Sequence, residues 1–211
     1  MLTLSFFLNG CIALQSAYLD DDNEYDETHV PFLLQPNTLR LAIIVFEIAA
    51  PASMLVSTVT KYALRPQSLK SPIGRCNLVR KPVAILQHNL NVVSSLMEEG
   101  VLGSLAVRAE DWSLVLFYGC NYVIFMWSIK NHLGKCDEDG KKYPQFVYFF
   151  FDTTLGRRWN ISVLLSLMAV LMLFYFLFTA IDDILIWVNG GIFANLLIVG
   201  GLSTFFCRVR D

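Results

Sequence analysis

The chain has 211 residues, 55% of them hydrophobic and 16% charged, with a mean hydropathy of +0.51. A soluble domain carries about 25% charged residues, and the apolar excess here is gathered into membrane-length runs, not spread at helical or strand periodicity. This excludes an ordinary soluble domain and predicts a single integral membrane domain over 1–211; the net charge of −2 comes with no basic patch of the nucleic-acid type, so membrane lipid and not nucleic acid is the expected partner.

Residues 1–19 are apolar and long enough to span, but no Lys or Arg precedes them, unlike a secretory signal. The abrupt start leaves open a native N-terminal segment ahead of it or a mis-called start codon. An acidic loop follows at 20–27, then a second span at 39–64. Residues 65–81 form a loop with five basic residues and no acidic one. The third span is 82–107 and the fourth 112–129, followed by a polar loop at 130–142. Residues 143–156 are apolar and aromatic but too short to cross, since a span needs about 20 residues; a re-entrant or interfacial segment is expected. Spans at 159–180 and 184–206 complete the chain, the last loosened by Gly190-Gly191 and Gly200-Gly201, with Asp182-Asp183 marking a membrane boundary between them.

The predicted fold is thus all-α, a polytopic membrane helix bundle of about six spans plus the short segment at 143–156. Lys and Arg fall on one side of this arrangement, at 65–81, 130–142, Arg157-Arg158 and Arg208 with Arg210, which places both termini in the cytoplasm. Trp112, Trp127, Trp159 and Trp187 read as interfacial anchors. No internal repeat supports an inverted-repeat transporter.

Five cysteines, Cys11, Cys76, Cys120, Cys136 and Cys207, show no paired spacing, so neither a disulfide framework nor a zinc site is expected. No metal or other cofactor is predicted. Phosphate-binding glycine loops, Gly-x-Ser-x-Gly, His-Glu-x-x-His and dinucleotide fingerprints are absent from the sequence.

The residues that stand out are polar groups in apolar surroundings. His88, Asn91, Ser95 and Glu98 fall within a sector of about 80° on the third span. Such groups are costly in hydrocarbon unless they face a cavity or a partner, so this face is expected to point inward. His88 would serve as a base or proton relay, with Asn91, Ser95 or Glu98 orienting it or solvating a polar head group. The alternative is interhelical hydrogen bonding at roughly 0.6 kcal/mol per contact. Glu99 lies off this face and is expected to snorkel outward. In the second span, Glu47 sits four residues before Pro51, which deprives the Glu47 carbonyl of its helical N–H. Glu47 therefore joins the candidate binding residues; the alternative is a simple kink with a hydrated carboxylate near the interface. Asp152-Thr153-Thr154 would line a cavity or form a helix cap or turn.

The run His88-Asn89-Leu90-Asn91 followed by Glu98 resembles the "His-Thr … Glu" helix of the androgen-induced-gene / androgen-dependent TFPI-regulating / rolling-stone family. Tyr143-Pro144, after a loop holding His132 and Gly134, is similar to that family's "His…Gly…Tyr-Pro-Phe" segment, and Leu2-Thr3-Leu4 resembles its "Leu-Thr-Phe" helix start. The resemblance covers roughly residues 2–180. It implies a multi-pass membrane protein. Some members hydrolyse fatty acid esters of hydroxy fatty acids with an intramembrane threonine and histidine, and the rolling-stone branch is associated with myoblast fusion. Carried onto this chain, it implies Thr3 as nucleophile and His88 as its histidine. Leu or Ile stands where the family has the second histidine of its His-x-x-His.

Three functions follow as expectations. The first is an intramembrane threonine/histidine hydrolase of lipid esters, with Asn91 as a candidate oxyanion donor. The second is a non-enzymatic scaffold or a protein of adhesion or cell fusion. The third is a proton-linked small-solute carrier using Glu47, His88 and Glu98.

Overall fold

Pro36 opens the first helix. Its ring fixes φ near the helical value, and its missing N–H would find no partner at that position anyway. The N–H groups of Thr38 and Leu39 reach back to the Gln35 carbonyl at 3.0 and 3.1 Å. This helix, α1, runs Pro36–Val59 and then widens into a π turn, Thr60–Leu64. The computed structural model describes residues 11–12, 35–64, 66, 82–102, 107–130, 148–153, 156–188 and 191–207, and every regular element among them is helical.

Helix α2 is Pro82–Met97 and likewise ends in a π turn, Glu98–Leu102. Helix α3 is Trp112–Ile129, entered through a 3-10 turn at Ala109–Asp111. Another 3-10 turn, Phe149–Phe151, occupies part of the short aromatic segment. Helix α4 is Arg157–Val188, and α5 is Gly191–Phe206. Gly156, at φ +99°, supplies the carbonyl that accepts the Asn160 N–H at 3.1 Å, so the residue capping α4 is Gly156 and not Asp152.

Three described helices are long and apolar enough to cross a membrane: Pro36–Leu64, Ala109–Ile129 and Arg157–Val188. Helix α5 is apolar but has 16 residues. The expected first span lies outside the described residues apart from 11–12. One boundary moves. Asp182-Asp183, expected to separate two spans, lie inside α4, which continues to Val188. Aspartate in a helix costs only tenths of a kcal/mol, and no Gly or Pro interrupts 181–188. The break falls instead at Gly191, whose φ of +69° only glycine adopts without strain.

The chain divides into two compact units. The first contains α1, α2, the residues up to Ala109, α4 from Phe174, and α5. Its core is built around Phe46, Met54, Val92, Leu96, Tyr175 and Phe178. Ala49, Ser53 and Ser57 repeat a small side chain every fourth residue along the buried face of α1, the pattern that lets helices approach closely in lipid. Helix α2 uses that space: Ser57 meets Asn89 and Ser53 meets Ser95, so the two helices run antiparallel. Helix α5 packs on the end of α2 so closely that a Cβ at Gly100 would stand 2.5 Å from Val199 Cγ2.

The second unit covers 110–173. Gly119 of α3 makes room for Met168, whose Sδ would lie 2.8 Å from a Cβ there. The Trp127 indole N–H donates to the Phe151 carbonyl at 3.2 Å, and Tyr148, Phe150 and Phe151 stack against one another beside Tyr122. The remaining faces of these helices carry exposed Phe117 and Ile124, as lipid-facing surfaces do.

Candidate functional site

Glu47 is fully buried, and Pro51 downstream is buried with it. A carboxylate in such a place needs donors, and Arg108 supplies two. Its backbone N–H and its Nε–H both reach Glu47 Oε1, each at 3.0 Å. The Tyr175 hydroxyl in turn donates to the Arg108 carbonyl. Arg108 is thus fixed by its amide, its carbonyl and its guanidinium. Glu47 Oε2 is buried with no hydrogen-bond partner among the described residues. The alternative of a hydrated interfacial Glu47 is ruled out: the carboxylate is sealed inside and paired.

The polar stripe of α2 divides. Ser95 is fully buried and Glu98 nearly so, His88 is half-buried, and Asn91 is exposed. The inward face is centred instead on Val92, Ser95, Leu96 and Glu99, all buried. These positions follow the i, i+3, i+4, i+7 rule of a helix face. The expectation that all four stripe residues turn inward therefore fails at Asn91, because the contact with α1 is organised by the apolar and small residues. The snorkelling expectation for Glu99 is overturned as well: it is 4% exposed, and neither of its oxygens has a hydrogen-bond partner among the described residues.

A seam of polar contacts joins α1, α2 and α5. Ser53 Oγ donates to the Ala50 carbonyl at 2.7 Å and lies 3.4 Å from Ser95 Oγ, which donates to the Asn91 carbonyl at 2.9 Å. Ser57 Oγ lies 3.4 Å from both Asn89 Oδ1 and the Phe206 carbonyl. Cys207 Sγ lies 3.5 Å from the Asn89 carbonyl. Lys61 Nζ donates to the carbonyls of Phe205, at 2.6 Å, and Cys207, at 3.5 Å, a cation placed where a helix C-terminus is negative. Burial pushes the Cys207 thiol above its ordinary range, and the Lys61 ammonium partly offsets the shift.

The structure therefore brings Ser53 and Ser95 together. It does not bring Ser95 to His88, since two helical turns separate them, about 10 Å along one axis. Thr3 lies outside the described residues. No group of three metal-ligating side chains occurs among the described residues. Sequence reasoning missed Arg108, Tyr175, Asn89 and Lys61. The small-residue repeat of α1 was a signal for the face that receives Asn89; nothing local marks Arg108, 61 residues from its partner.

No protein-family model matches the chain, and no curated protein or solved structure is significantly similar to it.

Proposed function

We propose that the chain is a multi-pass integral membrane protein that hydrolyses a lipid ester within the bilayer, with Thr3 as nucleophile and His88 as its base. The observation that carries this reading is the state of His88. It is half-buried on α2, adjacent in sequence to Asn89 of the polar seam, and makes no hydrogen bond to any described residue. The resemblance of residues 88–98 to a family with hydrolytic members supports the same reading.

In this chemistry the Thr3 oxygen adds to the ester carbonyl as its proton passes to His88. The tetrahedral adduct expels the alcohol, which takes that proton, and water then frees the acid from acyl-threonine. Ser95 and Glu98 are the remaining candidates for polar contact with the substrate, Glu47 being held by Arg108 and Asn91 lying exposed.

Labelling of the purified protein with a fluorophosphonate tests it. Labelling of wild type that disappears in both Thr3→Ala and His88→Ala is the expected result. A folded wild type that takes up no probe and cleaves no lipid ester overturns it.

A second reading, a non-enzymatic scaffold or fusion protein, is favoured by the mutual contacts of Ser53 with Ser95 and of Ser57 and Cys207 with Asn89. These groups satisfy one another as packing contacts do. Cellular function that survives in a His88→Ala, Glu98→Ala double variant would select it.

A further inference from the structure

Three acidic side chains are buried in the first unit, Glu47, Glu98 and Glu99. Glu47 has Arg108. Glu99 has nothing comparable: it is 4% exposed, and both oxygens lack a hydrogen-bond partner among the described residues. Its immediate setting is tight. The π turn Glu98–Leu102 presses against α5, with the Gly100 Cβ position 2.5 Å from Val199 Cγ2 and 3.6 Å from Leu185 Cδ1. π turns inside helices recur at functional sites.

The ionisable groups around Glu99 can be named element by element. Helix α4 brings Asp182, close enough for its charge to bear on Glu99, with Asp183 beside it. Helix α5 has no ionisable side chain over 191–206. Helix α1 brings Glu47, already held by Arg108. Helix α2 itself carries Glu98 and, three turns earlier, His88. No third ligand joins Glu99 and Asp182 to make a metal site among the described residues. A bare carboxylate sealed from water and from donors costs several kcal/mol, and its charged neighbour Asp182 has the same sign. The smallest species that removes that cost is a proton.

We propose that Glu99 is a proton-binding site of the helix bundle, filled and emptied through Asp182. The O–H bond of the Glu99 acid breaks as a water entering between the two carboxyls takes its proton, and that water gives up a proton as an O–H bond forms on the Asp182 carboxylate, which is half-buried and passes the proton on to the solvent. The site rests on the geometry of the first unit and not on the ester chemistry. It is the site a proton-linked carrier would use.

The test is infrared spectroscopy of the purified full chain in detergent at neutral pH, combined with the apolar reagent dicyclohexylcarbodiimide, which reacts with the acid form of a carboxyl. Wild type is expected to show the carbonyl band of a protonated carboxylic acid, and Glu99→Gln to lack it. Asp182→Asn is expected to keep the band but slow its shift in heavy water severalfold. Carbodiimide is expected to modify Glu99 in wild type and to leave Glu47, paired with Arg108, unmodified; this arm needs no variant to fold. A wild-type spectrum without that band, or one that Glu99→Gln leaves unchanged, overturns the proton site. Exchange at the wild-type rate in Asp182→Asn overturns the route.

Discussion

Glu47 and Arg108 meet twice on one oxygen: the amide N–H and the Nε–H of Arg108 both reach Glu47 Oε1 at 3.0 Å. The two partners are not equivalent. Glu47 is fully buried, whereas the Arg108 side chain is 39% exposed.

That asymmetry predicts unequal losses. Arg108→Ala strands a sealed carboxylate with only the backbone N–H left, and should cost about 3 kcal/mol, the lower end for a broken buried pair. Glu47→Gln keeps an acceptor for both donors and leaves a guanidinium that reaches water, so about 1 kcal/mol is expected. Chemical unfolding in detergent measures both. Equal losses would show that the pair is not organised around the burial of Glu47.

The contact of Gly100 with Val199 makes a second prediction. Gly100→Ala forces a methyl against Val199 Cγ2 and should destabilise by about 1–3 kcal/mol. Adding Val199→Ala opens the space, so the double variant should recover about 1 kcal/mol of that cost. A thermal-unfolding cycle that comes out additive would mean that α5 does not sit on this turn.

Cys207 makes a third. The thiolate is the reacting form. Burial raises the Cys207 pKa while Lys61 lowers it, so less thiolate is present at pH 8 than for a free cysteine. In a protein whose other cysteines are replaced by serine, the alkylation rate should keep rising with pH beyond the ordinary midpoint of about 8.5. Lys61→Ala removes the offsetting charge and should move the profile to still higher pH. A profile centred at the ordinary value in both proteins would contradict the burial of Cys207.

The fourth prediction concerns the hydrolase reading. His88→Ala should reduce lipid-ester cleavage by about 10²–10⁴-fold, the usual contribution of a general base. Asn91, exposed where Ser95 and Leu96 are buried, should matter far less: a change below about tenfold is expected for Asn91→Ala, against 10²–10³ for a lost oxyanion donor. A large loss in Asn91→Ala would move the reaction to the outer face of α2.

Much of the helical framework was legible in the sequence, because apolar runs of this length have few alternatives. The expected 112–129 coincides with α3, and 39–64 lies within α1 and its π turn. What failed did so for identifiable reasons. The polar stripe was assigned by angle alone, but the rotation of α2 is set by Val92, Leu96 and the small residues of α1. Asp182-Asp183 suggest a boundary by their charge, but aspartate disfavours a helix too weakly to end α4 there. Arg108 falls between the expected spans 82–107 and 112–129, and nothing near it in sequence marks a role that depends on a carboxylate 61 residues away. Thr3, on which the proposed chemistry depends, lies outside the described residues.

Helix α4 also has dimensions that can be set against a bilayer's thickness. Arg157 and Arg158 stand at one end, and Asp182-Asp183 near the other. The distance from Arg158 to Asp182 along the axis is about 36 Å, against a hydrocarbon thickness of about 30 Å. Beyond the acids, Trp187 is 85% exposed, suited to the headgroup level. A membrane a few ångströms thinner obliges this helix to tilt further; a thicker, sterol-rich one lets it stand more upright. In a bilayer, the separation of its charged ends would make the helix sensitive to membrane width, independently of any chemistry in its interior.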